Sequence, residues 1–331
     1  MNVGSPEFSM INAIFKQLKR DDPSIIINVG DDAAVTCIPP GFQLVSTMDT
    51  LVSNVHFFSD IAPTKIAHKA LAVNLSDIAA MGAMPTHVLI ALTMPENDPA
   101  WLNEFCRGLT PLLDKFNVQV IGGDLAKGPL SISIQAQGIV PNGKAVCRNG
   151  AVQGDRIFVT NSLGGPAYAL HCLEQGHPPE RIDKNCLAQL HSPLPRVAAG
   201  QKLLGVANSM IDISDGALSD LAHILAASNL AAVINVDDIP VPPVLQGMLK
   251  LGTPSDTSFV RHCALNGGDD YELLFTVEKE RVSDAYQLMS EAGEDVTCIG
   301  EIVESHAAPS ILCVDSQGKR VELAPEGYQH F

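Results

Sequence analysis

Basic residues are scarce in this chain. Its 21 lysines and arginines stand against 37 aspartates and glutamates, for a net charge of −16 and an isoelectric point near 4.9. A surface of that sign repels nucleic acid and anionic membrane, so neither is expected as a partner. No stretch of eighteen apolar residues is present, and the N-terminus lacks the basic-then-apolar order of a signal peptide, so a cytoplasmic protein is expected. The eight cysteines include no Cys-x-x-Cys pair, which speaks against a zinc site or a disulfide frame. Ten histidines include no His-Glu-x-x-His, so zinc hydrolase chemistry has little support. Nucleotide signatures are missing too: there is no G-x-x-x-x-G-K-[ST] loop, no G-x-G-x-x-G after a strand and no kinase catalytic-loop set. If ATP binds, it does so by a different device.

What is present is aspartate at the ends of apolar runs. Six motifs carry it: Gly30-Asp31-Asp32, Thr47-Met48-Asp49, Asn74-Leu75-Ser76-Asp77, Gly122-Gly123-Asp124, Asp212-Ile213-Ser214-Asp215-Gly216 and Gly267-Gly268-Asp269-Asp270. A strand that ends in Gly-Asp delivers a carboxylate on a turn where backbone can approach a ligand. Each motif alone is ordinary turn chemistry. Gathered in one cleft, such carboxylates repel each other unless cations sit between them. The reading that follows is a site for several Mg²⁺ ions, hence for a polyphosphate. Mg²⁺ takes oxygen ligands and keeps several waters, so a few carboxylates plus phosphate oxygens suffice. Phosphoryl transfer also needs a positive side chain on the charge in flight. Arg148, just after a strand, is the best-placed cation, although a surface salt bridge explains its position equally well.

A chain of 331 residues usually holds two domains. Helical spacing of Phe8, Ile11, Ile14, Phe15 and Leu18 predicts an opening helix over 8–20. Strands are expected at 25–29, 33–37, 43–48, 86–94, 118–121 and 130–140, with helices over 63–82 and 98–116. On the first of these helices Asn74 shares the inward face, with Asp77 close to it. Strands outnumber helices, which favours a mixed or antiparallel sheet over a parallel one. The turn-rich passage 148–155 marks the boundary, giving domains 1–149 and 150–331. In the second, strands are expected at 156–160, 208–213, 231–236, 271–277, 296–303 and 310–314. Helices there are expected over 165–175, 195–206, 217–228 and 279–292.

These residues resemble the thiamine-monophosphate kinase family, within the superfamily of aminoimidazole-ribonucleotide synthetase and selenophosphate synthetase. The likeness runs in order along nearly the whole chain, through Glu7-Phe8-Ser9, Gly30 to Val35, Ser46 to Phe57, Ile121 to Asp124, Ile211 to Gly216, Gly267 to Leu273 and Gly327-Tyr328. Its most specific segment is Lys69 to Ala83, which contains Asn-Leu-Ser-Asp. The resemblance implies an α/β (α+β) two-domain fold of the aminoimidazole-ribonucleotide synthetase type, with mixed sheets and helices. It implies that the N-terminal domain binds ATP and Mg²⁺ and pairs with that of a second copy, the joined sheets forming a barrel in a homodimer. It implies direct in-line transfer of the γ-phosphate of ATP to thiamine monophosphate, the last step of thiamine diphosphate synthesis. Carried over residue by residue, Asp32, Thr47, Met48, Asp49, Asp77, Asp124, Asp212 and Asp215 would hold Mg²⁺, Met48 through its carbonyl. Gly123, Asp124, Arg148 and Ser214 would contact ATP, with Arg148, Asp124 and Asp49 at the chemistry. His56, Asp269 and Tyr328 would contact thiamine monophosphate.

The chain departs from the family pattern in three places. Gly268-Asp269 stands where relatives carry Gly-Glu, which shortens a carboxylate at the substrate end. Ser53-Asn54 replaces a glycine-containing pair before His56, and Asn54 can supply the left-handed turn. Gly164-Gly165-Pro166 replaces a Gly-Asp. The rival readings are a purine-pathway or selenophosphate synthetase of the same superfamily, and a non-catalytic Ca²⁺-binding protein. Cys37 lacks the Lys and Gly-rich setting of a selenophosphate synthetase, and no Glu closes a calcium loop after Asp212.

Overall fold

The computed structural model describes residue 18 and residues 22–327. The helix expected over 8–20 falls almost wholly outside the described residues, and Tyr328 falls outside them too. Two compact units emerge: residues up to 78 with 83–143, and residues 79–82 with those from 144 on.

In the first unit β1 (Ile25–Ile27) and β2 (Val35–Thr36) make a small antiparallel ribbon. The main sheet contains β3 (Phe42–Val52), β4 (Met84–Met94), β5 (Gln119–Lys127) and β6 (Ser131–Pro141), in the order β3-β6-β4-β5. Only β4 and β5 run parallel, and that pair needs a crossover. Helix α2 (Pro99–Phe116) supplies it. Asp98 caps α2 by accepting from the N–H groups of Ala100 and Trp101, Pro99 pre-sets its first turn, and left-handed Asn117 ends it. Helix α1 (Pro63–Ala80) buries Ala67, Ala70, Leu71, Asn74, Leu75 and Ile78, one face of a 3.6-residue period. Gly108 lets α2 pass close to the start of α1, since a Cβ there would lie 2.2 Å from the Thr64 carbonyl oxygen.

The sheet is mixed, as expected. Among the described residues it is open, with β3 and β5 as its edges, and no barrel closes within one chain. Both edge strands run longer than the sequence suggested. Thr47-Met48-Asp49 and Gly122-Gly123-Asp124 therefore lie inside strands and not on turns after them. Gly123 marks close approach of two backbones: a Cβ there would sit 2.0 Å from the Ile90 carbonyl oxygen.

The second unit is built on a six-stranded sheet of β7 (Arg156–Thr160), β8 (Ser209–Asp212), β9 (Ala231–Asn235), β10 (Leu273–Val277), β11 (Val296–Val303) and β12 (Ile311–Val314). Their order is β12-β9-β11-β7-β10-β8, antiparallel except for β12 on β9. Helices α3 (Gly165–Glu174), α4 (Lys184–His191), α5 (Val197–Lys202), α6 (Ala217–Ser228), α7 (Pro243–Leu251), α8 (Pro254–Asn266) and α9 (Val282–Ala292) complete it. Ile157, Val159, Ile211, Ile213, Leu221, Leu225 and Leu274 belong to its core. The helix expected over 195–206 shrinks to α5. The unexpected helices α7 and α8 each open on a proline in the first turn, where the missing N–H costs nothing. Beside β7 and β10, Arg196 grips buried Glu272 (2.8 and 2.5 Å) and Glu294 (3.1 Å), and Thr160 and Asn161 also donate to Glu272.

Candidate functional site

Within the first unit the chemistry gathers where α1 crosses β3. Alternation along β3 turns Val45, Thr47, Asp49 and Leu51 inward. Thr47 Oγ1 donates to Asp77 Oδ2, and the Asp49 N–H donates to Asn74 Oδ1 at 3.1 Å. Asn74 is itself fully buried and fixed by its own bond to the Ala70 carbonyl at 3.0 Å. Burial, and secondarily the charge of Asp77, push the Asp49 carboxyl up to about 6. Two carboxylates and a hydroxyl thus face one another as an all-oxygen donor set, which suits a hard divalent cation. Asp32 is exposed on the turn after β1, where its N–H bonds Asp31 Oδ1. Among the described residues no group of three or more His, Cys, Asp or Glu side chains is placed to hold a metal ion.

Register separates the predicted ligands further. One row across the sheet reads Asp49, Ile134, Ile90, Gly123, and the next reads Thr50, Ser133, Ala91, Asp124. Neighbouring rows face opposite sides of a sheet. Asp124 therefore lies on the face away from Asp49 and at the opposite edge, about 14 Å off at three interstrand spacings. Met48 also leaves β3 on that outer face and is 61% exposed. At the end of β3 the chain turns through left-handed Asn54 (φ 61°). His56 Nδ1 then accepts from the Val52 N–H at 3.0 Å, which leaves the proton of a neutral ring on Nε2.

Within the second unit Asp212 ends β8 in a buried position opposite Leu273. Ser214, Asp215 and Gly216 turn tightly before α6, with Gly216 at φ 123°. The N–H groups of all three donate to one oxygen of Asp220, at 3.0, 3.1 and 3.2 Å. Asp220 is a buried acid at this turn that the sequence reading missed. A D-G-x-x-x-D spacing, which puts an acid in the first turn of the next helix, was the available signal. Burial above all raises its carboxyl to about 7, against the three N–H bonds. Arg148 is exposed on a single 3₁₀ turn, its carbonyl accepting from Ser228 Oγ at 3.1 Å. Among the described residues no ion pair engages its guanidinium.

The Gly267-Gly268-Asp269-Asp270 loop packs on the same turn. Asp269 donates its N–H to the Ser214 carbonyl at 2.9 Å, and a Cβ on Gly268 would lie 2.2 Å from that oxygen. Asp269 and Tyr271 both have positive φ, and the Tyr271 hydroxyl donates to Asp269 Oδ1 at 3.0 Å. The carboxylate of Asp269 is thus braced by a tyrosine two residues on. Gly327 reaches this turn as well: a Cβ there would lie 2.3 Å from Ser219 Oγ and 3.5 Å from Asp215 Cβ. Asp270 is a buried anchor. One oxygen accepts from the Gly164 N–H at 2.9 Å, and the other has no partner among the described residues.

Burial holds the Asp270 carboxyl well above its ordinary value. A carboxyl whose pKa rises on folding stabilises the native state below its unfolded pKa, and that contribution is lost as pH climbs through the folded value. Asp270→Asn keeps the acceptor for Gly164 and cannot ionise. Its unfolding midpoint relative to the parent should therefore rise as pH climbs above the ordinary aspartate value, and level off once the parent's Asp270 ionises. Thermal melts across that range test this, and a constant difference would refute it.

Comparison with known proteins agrees with this layout. Residues 30–140 match the AIR synthase related protein N-terminal domain, and residues 152–310 match its C-terminal domain. Thiamine-monophosphate kinase from Haemophilus influenzae is 39% identical, over 98% of each chain. The crystal structure of thiamine-monophosphate kinase from Stenotrophomonas maltophilia K279a is 37% identical with a TM-score of 0.83, covering 96% of this chain and 98% of that one. A structure of AaThiL complexed with AMPPCP and TMP is 29% identical with a TM-score of 0.76, covering 98% and 97%. On this evidence the chain belongs to the thiamine-monophosphate kinase family.

Proposed function

We propose that this chain transfers the γ-phosphate of ATP directly to the phosphate of thiamine monophosphate, giving ADP and thiamine diphosphate. The carrying observation is the facing set of Thr47, Asp49 and Asp77, an anionic, oxygen-only group with no histidine or cysteine in it. A phosphate monoester is already largely ionised at neutral pH, so the reaction needs no general base. What it needs is alignment and neutralisation of charge. Asp32, Thr47, Met48, Asp49, Asp77, Asp124, Asp212 and Asp215 would hold Mg²⁺, and the ions would neutralise phosphate charge when bound. Arg148 offers an unengaged guanidinium to the transferring group, while Gly123 and Ser214 contact ATP. His56, Asp269 and Tyr328 take the thiamine end, where a cationic ring suits an acidic wall.

The working form is a cytoplasmic homodimer joined through the N-terminal sheets. Among the described residues the outer edge of β3 is unpaired and long, and Leu44 and Met48 stand exposed on its outer face. An edge of that kind calls for a partner. Pairing of β3 with β5 of a second copy would close the barrel and set the strand of each Asp49 beside the strand of a partner's Asp124, which one chain keeps at opposite edges. The decisive assay is ADP release from Mg²⁺-ATP with and without thiamine monophosphate. Turnover that ignores this acceptor, or none in its presence, sinks the kinase reading.

A further inference from the structure

Three consecutive N–H groups that converge at the N-terminus of a twelve-residue helix form the arrangement in which proteins often hold phosphate. In this chain the position is already filled. Ser214, Asp215 and Gly216 all donate their N–H groups to Oδ2 of Asp220, a residue only 3% exposed. The turn is also clamped from behind. A Cβ on Gly216 would lie 2.9 Å from the Asn266 carbonyl carbon, and the Ser214 carbonyl is held by the Asp269 N–H. The backbone donors of this loop are therefore spent internally. A polyphosphate must meet it through the side chains of Ser214 and Asp215 and not through the N–H groups.

We propose that Asp220 is a positioning residue for phosphoryl transfer, an internal anion that fixes Ser214 and Asp215 for their roles. The proposal rests on the kinase reading above for its effect on rate, but the shape of the turn can be tested without turnover. Asp220→Ala should lose amide-exchange protection at residues 214–216. It should also gain more thermal stability from added sulfate than the parent does, because the vacated donors accept an anion. Its kcat should fall about 100-fold, the scale of an ångström-level misplacement, with KM for thiamine monophosphate little changed. Asp220→Asn, whose amide oxygen can receive the same three donors, should keep the exchange protection and most of the kcat. Protection and kcat near parental values in Asp220→Ala would overturn the proposal. So would equal damage in both variants, or a sulfate response no larger than the parent's. If Asp220→Ala does not fold, Asp220→Ser replaces it in the same measurements. A parent without acceptor-dependent turnover would defeat the kinase reading alone, since exchange and sulfate response still judge the turn.

Discussion

Asp49→Ala is expected to lower kcat for thiamine monophosphate phosphorylation by at least about 10³-fold, since a group that organises charge around a transferring phosphoryl supplies several kcal/mol at ~1.4 kcal/mol per tenfold. The fold should survive. Asp49 sits half-buried against the charge of Asp77, and its side chain is not what ties β3 to α1. The ties run from the Asp49 backbone N–H to Asn74 and from Thr47 to Asp77. The unfolding midpoint should accordingly stay at or above the parent's when Mg²⁺ is absent. Asp124→Ala, at the exposed opposite edge of the sheet, should behave alike.

The two variants together test the dimer. If each site takes Asp49 from one copy and Asp124 from the other, co-refolding the two inactive proteins creates mixed dimers with one intact site. Random assortment then restores about a quarter of the parental activity. Separate sites within each chain would restore nothing, and near-normal turnover of either single variant would refute its metal assignment.

Much of this was legible in the sequence for a local reason. The α1 pattern pairs a 3.6-residue apolar stripe with Asn74 on the buried face, and such a polar intrusion can be read without coordinates. The Asn54 turn before His56 follows from the tolerance of asparagine for φ near +60°. What stayed hidden depends on partners distant in the chain. Gly122-Gly123-Asp124 looks like a turn because glycine usually punctuates one, and only the Ile90 backbone shows that it is a strand needing room. The separation of Asp49 from Asp124 is a matter of register, which the alternation of one strand does not specify. Asp220 escaped because an acid in a first helical turn is ordinary, and its three donors become visible only once the preceding loop is folded.

Arg196 went unremarked for the same reason, and it carries the largest stability effect expected here. Its guanidinium is kept charged because Glu272 and Glu294 outweigh the opposing effect of burial. Glu272 is 2% exposed at its side chain and Arg196 14%, so the pair is removed from water on both sides. Removing one member of such a pair strands the other, at a cost of about 3–5 kcal/mol. Arg196→Met should therefore lower the unfolding midpoint by roughly 10 °C, at a few degrees per kcal/mol for a unit of this size. Much of that loss is a stranded carboxylate and not missing contact area. Adding Glu272→Gln to Arg196→Met should thus recover part of the midpoint, although Glu272→Gln alone is destabilising. A double variant whose loss equals the sum of the two single losses would show that the pair is not coupled. Because Glu272 is two residues from Asp270 and three from Asp269, the same melts should be matched by a higher KM for thiamine monophosphate in Arg196→Met.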